Sequence, residues 1–202
     1  MGAREIAIVD SGGANIASVI YALERLDVTG VLTKDPDVIA GSPVVILPGV
    51  GAAGDAMEKL QAAELVECLR SLTQPVMGIC LGMQLLFDHS AEGDVDMLGL
   101  MTGELKRFPD RADLIVPHMG WNNIDVKTQD HPLTKNLGPE DYFYFVHSYF
   151  APVADTTLAS CTYDHEFTAM TANDNFMGCQ FHPERSGASG HRVLQNFVEI
   201  AS

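Results

Sequence analysis

Two short segments carry residue types that can perform covalent chemistry together. Gly78-Ile79-Cys80-Leu81-Gly82 sets a thiol between two glycines at the end of an apolar run. Gln180-Phe181-His182-Pro183-Glu184 sets an imidazole and a carboxylate two residues apart. A thiol beside a histidine that a carboxylate orients is the arrangement of an activated cysteine nucleophile. The segments therefore predict Cys80 as nucleophile, His182 as base and Glu184 as its orienting group, if the fold brings them together.

The glycines around Cys80 predict a sharp turn from a strand into a helix. Side chains at the flanking positions would collide with neighbouring elements, as in the G-x-S-x-G elbow of hydrolases. The Leu81 N–H, first in the predicted helix, points where an oxyanion would form. From this segment alone, a buried cysteine between packing glycines is the alternative. His182 favours the catalytic interpretation, because functional groups gather at the carboxyl ends of strands in parallel sheets.

A glycine-rich loop at 49–54 spells G-x-G-x-x-G after a predicted strand. That spelling is the dinucleotide-binding fingerprint when an acidic residue follows about twenty positions later. Pro48 separates the predicted strand from the glycines, and the later stretch, Leu72–Pro75, has no acidic residue. We therefore reject a dinucleotide site. We expect a backbone N–H near Val50 or Gly51 to form the second half of an oxyanion hole.

Strand and helix patterns alternate in the first half of the chain, which predicts an α/β fold with a mostly parallel sheet. The predicted strands are Ile6–Asp10, Val44–Leu47 and Val76–Ile79, and the predicted helices are Ala14–Leu26, Asp55–Leu72 and Leu81–Asp88. Short runs in the second half predict antiparallel strands added to that sheet. These runs are Glu104–Arg107, Asn123–Val126, Tyr142–Val146, Thr157–Cys161, Phe167–Thr171 and Phe176–Phe181. A helix at His191–Ile200 closes a single domain, residues 1–202.

Composition excludes several classes of partner. The formal net charge of −15 and the absence of basic clusters make nucleic acid and anionic membranes poor partners. No apolar run could span a bilayer, and the start of the chain lacks a signal-peptide core, so we expect a cytoplasmic protein. Four cysteines without a C-x-x-C pair argue against a zinc site or a disulfide scaffold. We expect no metal and no organic cofactor.

The two motifs together resemble those of the class I (triad) glutamine amidotransferases. Residues 78–84 match the nucleophile segment of that family, and residues 180–184 match its His/Glu segment. The resemblance implies a three-layer, flavodoxin-like fold with a central, mostly parallel sheet and added antiparallel strands. It implies hydrolysis of glutamine to glutamate and ammonia by Cys80, His182 and Glu184. It also implies that Gln84, with backbone around Ser148 and Tyr149, holds the amino-acid end of the substrate.

Finer motifs resemble one branch of this family, the glutaminase subunits of imidazole glycerol phosphate synthases. They are Leu47–Gly51, Pro117–Asn122, Tyr144–Tyr149 and Pro183–Gly187. This branch implies a heterodimer with a (β/α)8 cyclase subunit. That subunit receives ammonia through an internal channel and makes imidazole glycerol phosphate and AICAR in histidine biosynthesis. The implied interface residues are Asn15, Trp121, Tyr144 and Arg185.

Two other functions stay open at this point. The chain could be a glutaminase for another synthase or a γ-glutamyl hydrolase of the same fold, against which the Pro117–Asn122 and Tyr144–Tyr149 segments argue. It could also be a catalytically silent binding module, against which the joint presence of Cys80, His182 and Glu184 argues. The chain departs from the usual family pattern at Ser11, Ala14 and Ala53, none of which belongs to the triad.

Overall fold

The computed structural model describes residues 4–12 and 16–200. The helices are α1 (Ile16–Glu24), α2 (Pro36–Gly41), α3 (Ala53–Ala62), α4 (Leu65–Arg70), α5 (Leu81–Gln84) and α6 (Gly187–Glu199). The strands are β1 (Arg4–Val9), β2 (Val28–Thr33), β3 (Val45–Gly49), β4 (Val76–Cys80), β5 (Phe87–Ser90), β6 (Val95–Asp96), β7 (Met101–Arg107), β8 (His118–Asn123), β9 (Asp125–Val126), β10 (Tyr142–His147), β11 (Tyr149–Phe150), β12 (Thr157–Tyr163), β13 (His165–Asn173) and β14 (Phe176–Cys179). Short 3-10 turns cover Pro132–Thr134 and Pro183–Arg185. None of the helices in the described residues is both long and apolar enough to cross a bilayer.

An eight-stranded mixed sheet forms the centre, in the order β2-β1-β3-β4-β14-β13-β12-β9. The five strands from β2 to β14 are parallel to one another. The strands β13, β12 and β9 extend the sheet with antiparallel pairings. The predicted α/β class, with a mostly parallel sheet and added antiparallel strands, is confirmed.

Both faces of this sheet are buried, which makes three layers. Successive residues of β1 point to opposite faces, so Ile6 and Ile8 join one apolar core while Ala7 and Val9 join the other. The first core contains residues of α1 and α6. The second contains residues of α2, α3, α4 and α5. Double burial explains why the parallel strands are apolar at nearly every position.

Two of the predicted antiparallel strands do not join the central sheet. The predicted strand Tyr142–Val146 lies in β10, which pairs with β8 in a separate two-stranded ribbon. The predicted strand Glu104–Arg107 lies in β7, within a four-stranded sheet ordered β11-β7-β5-β6. Period-two patterns identify strands but not their partners, so the sequence could not separate these sheets.

Two predicted helices are wrong in extent. The predicted helix 55–72 is two helices, because Glu64 takes a left-handed conformation with φ of 56° between α3 and α4. The predicted helix 81–88 is a single turn, and the chain enters β5 at Phe87. Strand β3 runs on through Pro48 to Gly49 rather than stopping before the proline. Proline fits there because β1 pairs with β3 only as far as Ile46.

Candidate active site

Cys80 stands at the point where β4 turns into α5. Its backbone has φ of 55° and ψ of −113°, which is unfavourable for a residue with a side chain. This confirms the predicted sharp turn. Strain of about 1–3 kcal/mol is typical of such positions and is tolerated where the surrounding structure enforces it. The side chain is 6% exposed, at the carboxyl edge of the central sheet.

The flanking glycines are required by close backbone contacts. A Cβ on Gly78 would lie 2.5 Å from the carbonyl of Gly82, and a Cβ on Gly82 would overlap the carbonyl of Leu47 in β3. Gly178, which pairs in register with Gly78 on β14, would meet the Met83 side chain at 2.6 Å. The single turn of α5 therefore lies directly on three neighbouring strands. The predicted reason for glycine at 78 and 82 is confirmed.

His182 and Glu184 form a buried pair just beyond β14. The His182 Nδ1 and the Glu184 Oε1 are 2.8 Å apart, and the two side chains are 8% and 3% exposed. Strand β14 ends at Cys179, slightly earlier than predicted, and it pairs in parallel with β4, whereas the sequence pattern places Phe176–Phe181 among the antiparallel strands. An apolar run does not reveal the direction of a strand, and β14 is antiparallel to β13 on its other side. His182 and Cys80 therefore meet at the carboxyl ends of adjacent parallel strands, and they line the same cavity.

The electrostatics favour a charged imidazole beside the sulfur. Burial alone would lower the pKa of His182, but the Cys80 sulfur and the Glu184 carboxylate raise it to about 10. Because Nδ1 faces Glu184, the interaction with Cys80 falls to Nε2. Within the described residues, the geometry of that atom meets no hydrogen-bond criterion, but the nearby sulfur still raises the pKa of the ring. The arrangement suits a thiolate–imidazolium pair.

The cavity beside Cys80 has a volume of about 300 Å³. It is lined by the predicted oxyanion residues Leu81, Val50 and Gly51, and by the predicted substrate residues Gln84, Ser148 and Tyr149. The structure thus brings all six beside Cys80. A Cβ on Gly49 would lie 2.8 Å from the Gly82 nitrogen, so the glycine loop packs against the nucleophile turn.

Sequence reasoning missed Glu92, which also lines this cavity. Its carboxylate accepts a hydrogen bond of 2.8 Å from the Ala53 N–H, 39 residues earlier in the chain. An isolated acidic residue in a turn gives no signal of its own. Only the folding of β5 and β6 beside α3 brings this carboxylate to the cavity.

His118 and His147 form a buried neutral pair beside the cavity, and His147 also lines it. His147 Nδ1 donates to the Tyr149 carbonyl at 2.8 Å, so its Nε2 must accept from His118 Nδ1 at 3.1 Å. Burial lowers the pKa of His118 to about 4 and that of His147 to about 3. Both rings are therefore neutral at physiological pH.

An exposed aromatic cluster lies on the ribbon of β8 and β10, beside the His182 turn. Trp121 pairs in register with Tyr144, and their rings meet edge to face at 6.1 Å. The Arg185 guanidinium lies 5.4 Å from the centre of the Tyr144 ring. Trp121 is 57% exposed, which is unusual for so large an apolar side chain. Asn15, the fourth predicted interface residue, lies outside the described residues.

The fold and the strained cysteine turn define a class of protein. The family model described as "Glutamine amidotransferase class-I" matches residues 7–201. The chain belongs to this family. Two solved structures share the fold: a putative GMP synthase protein from Thermoplasma acidophilum and PurLQS from Thermotoga maritima. Their TM-scores are 0.74 and 0.70 at 19% and 22% identity, covering 98% of this chain and 93% and 99% of theirs.

Curated relatives point to one branch of that family. The chain is 49% identical over 197 residues to the imidazole glycerol phosphate synthase subunit HisH of Xanthomonas axonopodis pv. citri, covering 98% of both chains. It is 46% identical over 197 residues to the subunit of the same name from Yersinia pseudotuberculosis, covering 97% of this chain and 100% of the relative. The resemblance to this branch is confirmed.

Proposed function

We propose that this protein is the glutaminase subunit of an imidazole glycerol phosphate synthase, and that it hydrolyses glutamine with Cys80, His182 and Glu184. One observation carries the proposal. A strained cysteine turn and a buried histidine–carboxylate pair meet at one cavity, in a chain close in sequence to HisH subunits. Residues 1–202 would form one cytoplasmic glutaminase domain.

In the first half-reaction, the Cys80 sulfur attacks the side-chain amide carbon of glutamine. The carbonyl oxygen takes the electron pair and becomes an oxyanion beside the backbone N–H groups of Leu81 and of Val50 or Gly51. The amide groups at the start of a helix have no intrahelical acceptor, which leaves the Leu81 N–H available. Loss of one such donor typically slows catalysis by about 10²–10³-fold.

The oxyanion then collapses and the carbon–nitrogen bond breaks. The imidazolium of His182 gives its proton to the leaving nitrogen, which departs as ammonia, and a glutamyl thioester stays on Cys80. His182 next takes a proton from water, whose oxygen attacks the thioester, and glutamate leaves. Glu184 stabilises the imidazolium in both half-reactions from a distance of 2.8 Å.

The cavity supplies groups for the amino-acid end of glutamine. Both N–H groups of the Gln84 amide are already used, on the Tyr149 carbonyl and on Gln180 Oε1. Gln84 can therefore offer only its oxygen, which suits the substrate ammonium rather than the carboxylate. Glu92 is a second acceptor for that ammonium. Backbone groups at Ser148 and Tyr149 would complete this part of the site.

The partner would be a (β/α)8 cyclase subunit, bound at the aromatic cluster of Trp121, Tyr144 and Arg185. Free ammonia is protonated in water and loses its nucleophilicity, so a protected exit is chemically required. A second, mostly apolar cavity of about 100 Å³ runs from His182 and Glu184 towards Arg185. Its apolar lining, which includes Val19, suits a neutral ammonia molecule on its way to the partner.

Partner binding would also control activity. Val50 lines both cavities, and Gly49 lines the second. Glycine permits a change of backbone conformation at this point. We propose that reorientation of the Gly49–Val50 peptide completes the oxyanion hole when the cyclase holds its ligand. The isolated chain should then hydrolyse glutamine much more slowly than the complex, and equal rates would refute this step.

Labelling with an electrophilic glutamine analogue tests the proposed chemistry. Peptide-level mass spectrometry should find the label on Cys80 and not on Cys161 or Cys179, where burial raises the pKa of the thiols. The partly exposed Cys68 serves as an internal control for unspecific reaction. A Cys80 that stays unlabelled would indicate a silent homologue. Co-purification with a cyclase, and glutaminase assays with and without its nucleotide ligand, test the partner.

A further inference from the structure

Gln180 is the first residue of the segment that contains His182 and Glu184, and it has no role in the mechanism proposed above. It directly follows β14, and its side chain is completely buried. Its amide Nε2 lies 3.9 Å from the Cys80 sulfur. Because α5 is a single turn, its dipole gives the sulfur less support than the longer predicted helix would. Side chains must therefore supply much of the field around the nucleophile.

A chain of hydrogen bonds fixes which end of the Gln180 amide faces the sulfur. The Tyr149 carbonyl can only accept, so the Gln84 atom 2.9 Å away is its nitrogen. That nitrogen can only donate, so the Gln180 atom 2.9 Å from it is the oxygen. The remaining Gln180 atom, the nitrogen, is thus the one turned towards Cys80. His147 donates to the same Tyr149 carbonyl, so this carbonyl is held in place by a second hydrogen bond.

We propose that Gln180 is a positioning residue for the nucleophile, which holds an N–H donor against the Cys80 sulfur in an orientation set by Gln84 and the Tyr149 carbonyl. This proposal rests on the proposed role of Cys80. The Val146 carbonyl, 3.9 Å from the sulfur, has the opposite effect, because it can accept a hydrogen bond only from a protonated thiol and so favours the thiol. The amide favours the thiolate, because a donor interacts more strongly with an anionic acceptor.

Loss of the donor should therefore leave the Val146 carbonyl to favour the thiol. Gln180→Met keeps the length of the side chain and removes both the carbonyl oxygen and the NH2 group of its amide. We expect the alkylation of Cys80 by iodoacetamide at pH 7 to slow about tenfold, because the thiolate loses a donor. Gln180→Glu, which places a carboxylate near the sulfur, should slow it further.

The alkylation rate of Cys80 is measured from pH 5 to 10 by peptide-level mass spectrometry. The matched control is Gln74→Met, which removes an amide that donates to the Ile39 carbonyl far from the cavity. Its pH profile should match that of the unmodified protein. With glutamine and the cyclase, Gln180→Met should lower kcat about tenfold and change KM less than twofold, since Gln180 does not line the substrate cavity.

A Gln180→Met protein that is folded and has an unshifted alkylation profile would overturn the proposal. If that variant does not fold, Gln84→Met decides, because it frees the Gln180 amide to rotate. It should slow alkylation about threefold, and an unchanged profile would again overturn the proposal. The proposed function fails separately: Cys80 of the unmodified protein would then resist alkylation at every pH tested.

Discussion

The charge on Glu184 should determine the alkaline limit of activity through its effect on His182. Glu184→Gln tests this with little change in shape, because the amide oxygen can still accept a hydrogen bond from Nδ1. In the unmodified protein, the raised pKa of His182 keeps the imidazolium present well above neutral pH. Without the carboxylate charge, that pKa should fall and the proton for the leaving ammonia should be lost at lower pH.

The size of the effect follows from the geometry of the pair. At 2.8 Å and an effective dielectric constant of about 20, the attraction is about 6 kcal/mol, which is an upper bound because burial costs both charges their hydration. An ionic hydrogen bond exceeds a neutral one by about 1–2 kcal/mol. Taking about 2 kcal/mol, the pKa of His182 should fall by about 1.5 units, and the rate at alkaline pH above both pKa values should fall about 30-fold.

The assay is the pH dependence of kcat/KM for glutamine hydrolysis, measured with the cyclase present. The alkaline limb should move down by about 1.5 pH units in Glu184→Gln. Glu67→Gln, which removes an exposed carboxylate paired with Arg70, is the matched control and should leave the limb in place. An unmoved alkaline limb in folded Glu184→Gln would show that Glu184 does not set the charge of His182.

Stability gives an independent check on the same pair. The folded-state pKa of His182 is raised, so the stability that it contributes is complete below about pH 6.5 and is lost as the pH rises towards the folded value. Chemical unfolding between pH 6.5 and 10 should show this loss in the unmodified protein. In Glu184→Gln the loss should be smaller and should be complete at lower pH.

Three further predictions concern packing, the neutral histidines and the partner. Gly82→Ala should destabilise the fold by about 3 kcal/mol or more, whereas Gly138→Ala, with open space around it, should change the unfolding midpoint little. The pKa of His118, lowered to about 4, should contribute about 2 kcal/mol to the loss of stability between neutral pH and pH 5, and that of His147, lowered to about 3, a similar amount; urea unfolding of His118→Phe should lack the first contribution and keep the second. Arg185→Ala should weaken co-purification with the cyclase about tenfold or more while Cys80 alkylation is unchanged. Arg25→Ala, an exposed cation beyond the far end of α1, is its control, and an equal loss in both variants would argue against the proposed interface.

The parts of the fold that the sequence predicted are those encoded over a few neighbouring residues. Apolar runs identified β1, β3 and β4, and the glycines around Cys80 identified the turn, because their spacing reflects contacts within one strand–turn–helix unit. The boundaries were less accurate. The break between α3 and α4 depends on the left-handed conformation of Glu64, and the sequence gives no signal for it because this position is not a glycine. The end of α5 depends on the pairing of β5 with β6 and β7, which are later in the chain.

The parts of the site that the sequence did not predict depend on contacts between distant segments. The hydrogen bond from Gln84 to Gln180 spans 96 positions, and that from Gln180 to Cys80 spans 100. No local pattern signals such a pair, since either glutamine alone suits a surface helix or a strand end. The contact of Glu92 with the Ala53 N–H is of the same kind. Each becomes evident only when strand order is known.

The pairing of β4 with β14 links these separate features. Because the two strands are parallel and in register at Gly78 and Gly178, their ends deliver Cys80 and Gln180 to the same edge of the sheet. The glycine pair also removes the side chains that would lift α5 off the strands. A shift of one residue in this register would turn Gln180 to the opposite face and take away its contact with the sulfur. The reactivity of Cys80 should therefore depend on packing beneath α5, and Gly178→Ala should slow its alkylation even though residue 178 touches no substrate group.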